Sequence, residues 1–165
     1  MTRIISAFPG TGKTYFHTHK GPLATADSDS SHFSWISKGV RHPEFPANYI
    51  EHINDLMGKV DYIFVSSHQD VRNALTAAGL PFISAYPSIN LKDEYLARFR
   101  QRMSPAGFIH LLEENWDAWV RSMSVANPDQ IILGRGEFLT GAVKMLEARR
   151  TEPLRQPHVQ QLRSS

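Results

Sequence analysis

The sequence predicts an α/β domain, a five-stranded parallel sheet with helices on both faces. Two observations carry this. Short apolar runs alternate with helical segments along the chain, the pattern of strands joined by crossover helices. The first run, residues 4–8, leads through Pro9-Gly10-Thr11-Gly12-Lys13-Thr14 into a segment that can continue as a helix. That is the strand, glycine-rich turn and helix order of a phosphate-binding (Walker A) loop.

Each element follows in turn. Residues 4–8 are the first strand, and a helix begins near Gly12. Residues 22–27 read as a short second strand that delivers Asp27-Ser28-Asp29-Ser30-Ser31 at its end. Residues 33–46 lack periodicity and read as a loop-rich insertion. Residues 47–57 predict a helix, with Tyr49, Ile50, Ile53, Leu56 and Met57 on one face. The continuous apolar run 62–66 predicts a central parallel strand. A helix over 68–78 is ended by Gly79. Residues 81–87 are the fourth strand and 91–103 a charged helix. From Pro105 to about residue 125 runs a helix whose Trp116 and Trp119 read as core. Residues 130–133 are the fifth strand. The turn Gly134-Arg135-Gly136 leads to a last helix over about 138–149. One domain thus spans 1–150, and 151–165 reads as a flexible basic tail containing Arg155 and Arg163.

Composition narrows the class. A chain of 165 residues, 41% hydrophobic and 21% charged, suits one domain with a substantial core. No apolar run approaches the roughly 18 residues of a membrane span, and the apolar start is too short for a signal peptide. A cytoplasmic protein without a membrane partner is expected. There are no cysteines, which excludes disulfides and thiolate metal sites. A net charge of +2 admits nucleic acid as a partner without requiring it. The oligomeric state is left open.

The motifs then define a candidate site. Gly10 and Gly12 let the backbone turn tightly with N–H groups pointing inward, and the following helix adds its positive dipole end. Pro9, Gly10, Thr11, Gly12, Lys13 and Thr14 are expected to cradle ATP, with Lys13 on the β/γ-phosphates and the Thr14 hydroxyl on Mg²⁺. Ala7 replaces the first glycine of the G-x-x-x-x-G-K-[ST] pattern. Phosphoryl transfer to a hydroxyl benefits from a carboxylate that takes its proton, and Mg²⁺ needs a carboxylate nearby. Asp27 and Asp29 are the candidates. Arg98 and Arg102, at i and i+4 on one helix face, are expected as catalytic lid residues that stabilise transferring charge. A solvated basic face is the alternative. Phe33 and Trp35 can stack on a base, with Arg41 beside them on the acceptor side. Local packing is the alternative. His17 and His19, at i and i+2 on a helix, cannot converge on one ion, so no zinc site is expected. After the strand at 62–66 stand Ser66 and Ser67 and no acid. That argues against a motor ATPase and gives Asp27 the metal role.

These residues resemble the small P-loop kinases of the nucleoside and nucleotide kinase group. Asp27-Ser28-Asp29 after the second strand is similar to the acidic pair of shikimate kinase, which implies Mg²⁺ and hydroxyl-acceptor roles. Polynucleotide kinase domains similarly use an Asp base at this place. More narrowly, Asp27-Ser28-Asp29-Ser30-Ser31, Phe33-Ser34-Trp35, Pro43-Glu44-Phe45-Pro46, Asn48-Tyr49-Ile50 and His52-Ile53 look like small phage-encoded P-loop kinases, over most of residues 1–150. That likeness implies phosphorylation of 5-hydroxymethyluracil in phage DNA, a step in thymidine hypermodification. By analogy with such kinases, Arg135 borders the adenine. A kinase of a free deoxynucleoside or deoxynucleoside monophosphate, and a nucleotide-binding module without turnover, remain as alternatives.

Overall fold

The computed structural model of the chain describes residues 1–19, 21–125 and 129–151. The residues beyond 151, including Arg155 and Arg163 of the expected tail, lie outside that range. Five parallel strands form the main sheet: β1 (Arg3–Ala7), β2 (Thr25–Ser28), β5 (Tyr62–Ser66), β6 (Phe82–Pro87) and β7 (Gln130–Leu133). Their order is β2-β5-β1-β6-β7. The chain leaves β1 toward one edge of the sheet, returns through β5, and crosses to β6 on the other side. The C-terminal end of β1 is therefore a switch point, where open α/β sheets bind ligands.

The strands read as unbroken apolar runs because helices cover both faces. Alternate residues face opposite sides. Ile4, Ile63, Val65 and Phe82 pack with Tyr49 and Ile53 of α3 (Ala47–Leu56) and Val71 and Leu75 of α4 (Gln69–Ala77). Tyr86 and Phe8 on the same side pack with α5 (Lys92–Gln101) and α6 (Ala106–Val125). On the opposite face, Ile5, Ala7, Tyr62, Phe64 and Ala85 meet Phe16 of α1 (Lys13–Thr18) and Leu139 and Val143 of α7 (Leu139–Thr151). Trp116 is buried in the α5–α6 layer, and Trp119 packs against it from a half-buried position. Among the described residues no helix is long and apolar enough to cross a membrane.

Two expectations need correction. The segment over 33–46 is not an irregular insertion. It contains the end of a one-turn helix, α2 (Ser31–Ser34), and a two-stranded hairpin, β3 (Trp35–Ser37) with β4 (Val40–Arg41). Gly39, at φ 80°, makes the turn. The hairpin packs little apolar surface beneath it, so its sequence shows no long hydrophobic period. The charged helix expected over 91–103 is also shorter. It starts with a 3₁₀ turn at Ile89–Leu91 and ends at Gln101. Met103 then adopts φ 54°, a left-handed conformation that stops the helix.

Two measurements follow. Trp116 is 1% exposed, lies 5.4 Å from the Phe8 ring, and donates its indole N–H to the Ile89 carbonyl at 2.7 Å. Trp116→Ala is expected to cost about 3–5 kcal/mol, read as a lowered denaturation midpoint. The Tyr62 hydroxyl donates to Glu147 on α7. Burial, helped by that carboxylate, pushes the Tyr62 phenol up to about 12 from 10.0. A pKa raised on folding favours the neutral form. Its stabilisation is complete below the unfolded value and is lost as pH rises through the folded one. Stability should therefore fall between about pH 10 and 12. Tyr62→Phe should flatten part of that fall in an alkaline unfolding series, while Tyr95, also raised to about 12 by burial, and Tyr49 and Tyr86, likewise raised by burial, keep the remainder.

Candidate functional site

β1 ends at Ala7, and Phe8 continues the line, its N–H bonded to the Ala85 carbonyl at 2.8 Å. The chain then turns through two left-handed glycines, Gly10 at φ 81° and Gly12 at φ 92°, before α1 begins at Lys13. Glycine is needed at both positions for this backbone. Gly10 is needed for a second reason. A Cβ there would lie 3.0 Å from the Phe99 ring and 3.3 Å from that of Tyr95. Thr11 is buried, and its hydroxyl donates to the Phe8 carbonyl at 2.7 Å. The Thr11 carbonyl receives the Leu139 N–H at 3.0 Å. The loop is thereby tied to the start of α7 as well as to β1.

Lys13 curls back over the loop and donates from Nζ to the Ala7 carbonyl at 3.0 Å. Burial pulls its ammonium below the ordinary lysine pKa, and the Asp27 and Asp29 carboxylates oppose that shift. The Thr14 hydroxyl lies 3.1 Å from Asp27 Oδ2. Asp27, predicted from the strand end, thus meets the first turn of α1. Asp29 is exposed, and its Oδ1 accepts the Ser31 N–H at 2.9 Å. It therefore closes a local turn, while its charge acts on the lysine. Tyr49 stands behind the pair. Its hydroxyl donates to the Ser28 carbonyl at 2.8 Å, and burial followed by the charges of Asp29 and Asp27 drives its pKa upward.

Chemically, this corner offers left-handed glycine backbone, a cation, a hydroxyl and two carboxylates. Among the described residues no group of three or more His, Asp or Glu side chains could hold a metal ion alone. A metal joining Thr14 and Asp27 would need waters and ligand oxygens to complete its shell, which is the habit of Mg²⁺ rather than of Zn²⁺. A cavity of about 1510 Å³ opens from the loop toward α5, β7 and α7, lined among others by Lys13, Thr14, Arg102, Ile132 and Phe138.

The other expected site residues fall in different places. Arg98 is not a free lid residue. Its guanidinium is stacked between the rings of Tyr95 at 4.3 Å and Phe138 at 4.1 Å. It donates to the Gly10 carbonyl at 3.0 Å and to Glu94 at 2.6 Å. Arg102 is exposed at the end of α5, 5.5 Å from the Phe99 ring, and lines the cavity. Arg135 is exposed and is not among the lining residues. Phe33 is half-buried, stacked on His52 at 4.7 Å and close to Tyr49 at 5.3 Å. It packs from α2 against α3. Trp35 is 44% exposed. Arg41 lies over it at 5.1 Å and forms an ion pair with Asp70 at 3.0 Å. Glu94, Tyr95 and Phe138 were not singled out from sequence. Each sits on a helix or turn remote from the motif, and only the close approach of α5 to Gly10 would have pointed to them.

No protein-family model and no curated protein matches the sequence. A solved crystal structure of an uncharacterized protein from Eubacterium ventriosum is similar at a TM-score of 0.48 and 11% identity, covering 92% of this chain and 100% of that one. At that distance nothing about the site transfers.

The loop geometry makes a direct prediction. Gly10→Ala forces a β-carbon into a left-handed residue, costing about 1–2 kcal/mol, and presses it against Phe99. The variant should unfold at lower denaturant, and the loss should shrink in a Gly10→Ala, Phe99→Leu double variant, measured as a double-mutant cycle.

Proposed function

We propose that the chain is a P-loop kinase that moves the γ-phosphate of ATP to a hydroxyl acceptor, with Mg²⁺ as its metal. The supporting observation is the meeting of Lys13, Thr14 and Asp27 at the C-terminal end of β1, with the Asp29 charge acting on Lys13. A nucleotide-binding module without turnover would not need the second carboxylate.

The residues fit the group. Left-handed Gly10 and Gly12 bend the loop into a shape that can direct N–H groups at phosphate oxygens. Lys13, whose Nζ donates to the Ala7 carbonyl, can exchange that carbonyl for the β/γ-phosphates. Thr14 and Asp27 would hold the metal, which supplies charge neutralisation on the phosphate oxygens. Asp29 orients the acceptor hydroxyl and takes its proton. The acceptor oxygen bonds to the γ-phosphorus as the bond to the β–γ bridging oxygen breaks, and ADP leaves. Arg102, at the cavity wall, is placed to meet charge that develops there. The proposed acceptor side is the β3–β4 hairpin, which follows Asp29 in the chain and which Arg41 anchors to Asp70 at the start of α4. Trp35 there presents a ring to a base. An acceptor base flipped from DNA, such as 5-hydroxymethyluracil, and the base of a free deoxynucleoside or its monophosphate are both compatible with that ring.

Labelled ATP offered with free nucleosides, monophosphates and hydroxymethyluracil-containing DNA should label one acceptor class. Labelling of DNA that weakens as salt rises supports the polymer acceptor, and efficient labelling of a nucleoside alone assigns a nucleoside kinase. Lys13→Ala should lower turnover by about 10²–10³. Asp29→Asn should lower turnover by about 10²–10⁴ with ATP affinity retained. Near-normal turnover in both variants would remove the kinase assignment.

A further inference from the structure

Glu94 lies outside every motif of the sequence, at the third residue of α5. Its Oε1 nevertheless joins three segments. It accepts from Arg98 at 2.6 Å and from the Gly136 backbone N–H at 2.8 Å. Arg98 in turn donates to the Gly10 carbonyl at 3.0 Å. One carboxylate oxygen thus links the glycine loop, α5 and the β7–α7 turn, all three of which line the same cavity.

From these contacts we infer that Glu94 is a positioning residue of the nucleotide site, setting the loop's shape through Arg98 and the turn's position through Gly136. The inference rests on the kinase reading for what the site binds, but not for the geometry. The peptide between Gly10 and Thr11 is held at both ends, its carbonyl by Arg98 at 3.0 Å and its N–H, more weakly, by the Phe8 carbonyl at 3.4 Å. A flip of that peptide would turn the carbonyl oxygen toward the anion site and repel phosphate. Arg98 opposes the flip only while its own guanidinium stays put. The rings of Tyr95 and Phe138 fix its plane, and Glu94 fixes its position within that plane. The pair is well placed to do this. The side chains of Arg98 and Glu94 are 13% and 24% exposed, so the ion pair is less screened than a surface pair. The charged and titratable groups acting on Glu94 are Arg98 of its own helix and Arg135 of the turn, while Tyr95 is acted on by Glu94. The Gly136 N–H, then the Arg98 bond and charges, hold its carboxyl below the usual carboxylate range, so it remains ionised at neutral pH. Phe138 completes the brace. It packs on Gly12, where a Cβ would lie 3.3 Å from the ring.

The test compares wild type, Glu94→Gln and, as a control on the same helix turn, Asp93→Asn. Amide hydrogen exchange of the free protein is followed at Gly136 and at residues 10–13, and ATP–Mg²⁺ binding is titrated alongside, with kcat and KM measured on the labelled acceptor. In Glu94→Gln, exchange at Gly136 and in the loop should speed up by about tenfold or more while distant core amides keep their rates. ATP affinity should fall about tenfold, KM rising more than kcat falls. Asp93→Asn should leave all of these unchanged. Unchanged exchange at Gly136 and the loop overturns the brace itself. Faster exchange with unaltered ATP affinity overturns the positioning role and leaves Glu94 as a local structural contact. A wild-type protein that binds no ATP fails earlier, at the kinase reading, and removes the positioning role with it.

Discussion

The structure depends on how closely its glycine loop approaches α5. Gly10 sits so close to Phe99 and Tyr95 that a Cβ would lie 3.0 Å and 3.3 Å from their rings. The carbonyl that this backbone exposes must then find a donor, and Arg98 provides it. Arg98 carries a charge that must itself be matched, and Glu94 does so while also capturing the Gly136 N–H. A backbone conformation at one residue thereby fixes the position of the helix that follows β6 and of the turn that follows β7.

The same corner joins the two faces of the sheet. Phe8 packs into the layer of α5 and α6, while Ala7 and Phe16, on either side of the loop, belong to the layer of α1 and α7. The loop is the seam between two hydrophobic clusters, which are close-packed and resist small displacements. That rigidity suits a site whose chemistry depends on positioning. The β3–β4 surface differs. The hairpin β3–β4 leaves Trp35, Ile36 and Val40 exposed and is held to α4 through the half-exposed Arg41–Asp70 pair. Under the proposed kinase reading, tight geometry around the loop and an exposed hairpin would match the different demands of a fixed phosphate donor and a bulky acceptor.

Much of this was legible in the sequence because it rests on local signals. The bounds of β5 and β7 follow directly from their apolar runs, and the helix over 47–57 from its 3.6-residue period. The first-turn residues Lys13 and Thr14 follow from their spacing after the glycines. Asp27 meeting Thr14 was also readable, because a strand end beside a loop in a parallel sheet leaves few other directions. The hairpin at 35–41 was not readable, since a two-residue strand paired over little core leaves no hydrophobic alternation. Arg98 was noticed as a cation but given the wrong freedom. Its fate was decided by Tyr95, Phe138 and Glu94, three residues whose convergence is a property of tertiary packing. Phe33 was misplaced for the same reason: its ring is engaged by His52, nineteen positions away along the chain.

The most direct measurement is an equilibrium titration of ATP into the protein, with and without Mg²⁺, repeated on Thr14→Val. If Lys13, Thr14 and Asp27 form a nucleotide–metal corner, wild type should bind one ATP saturably and more tightly with Mg²⁺. Thr14→Val should bind ATP alone about as well as wild type but lose most of the gain from Mg²⁺. Binding that is absent in wild type, or a Mg²⁺ gain equal in the two proteins, would contradict that role for the corner.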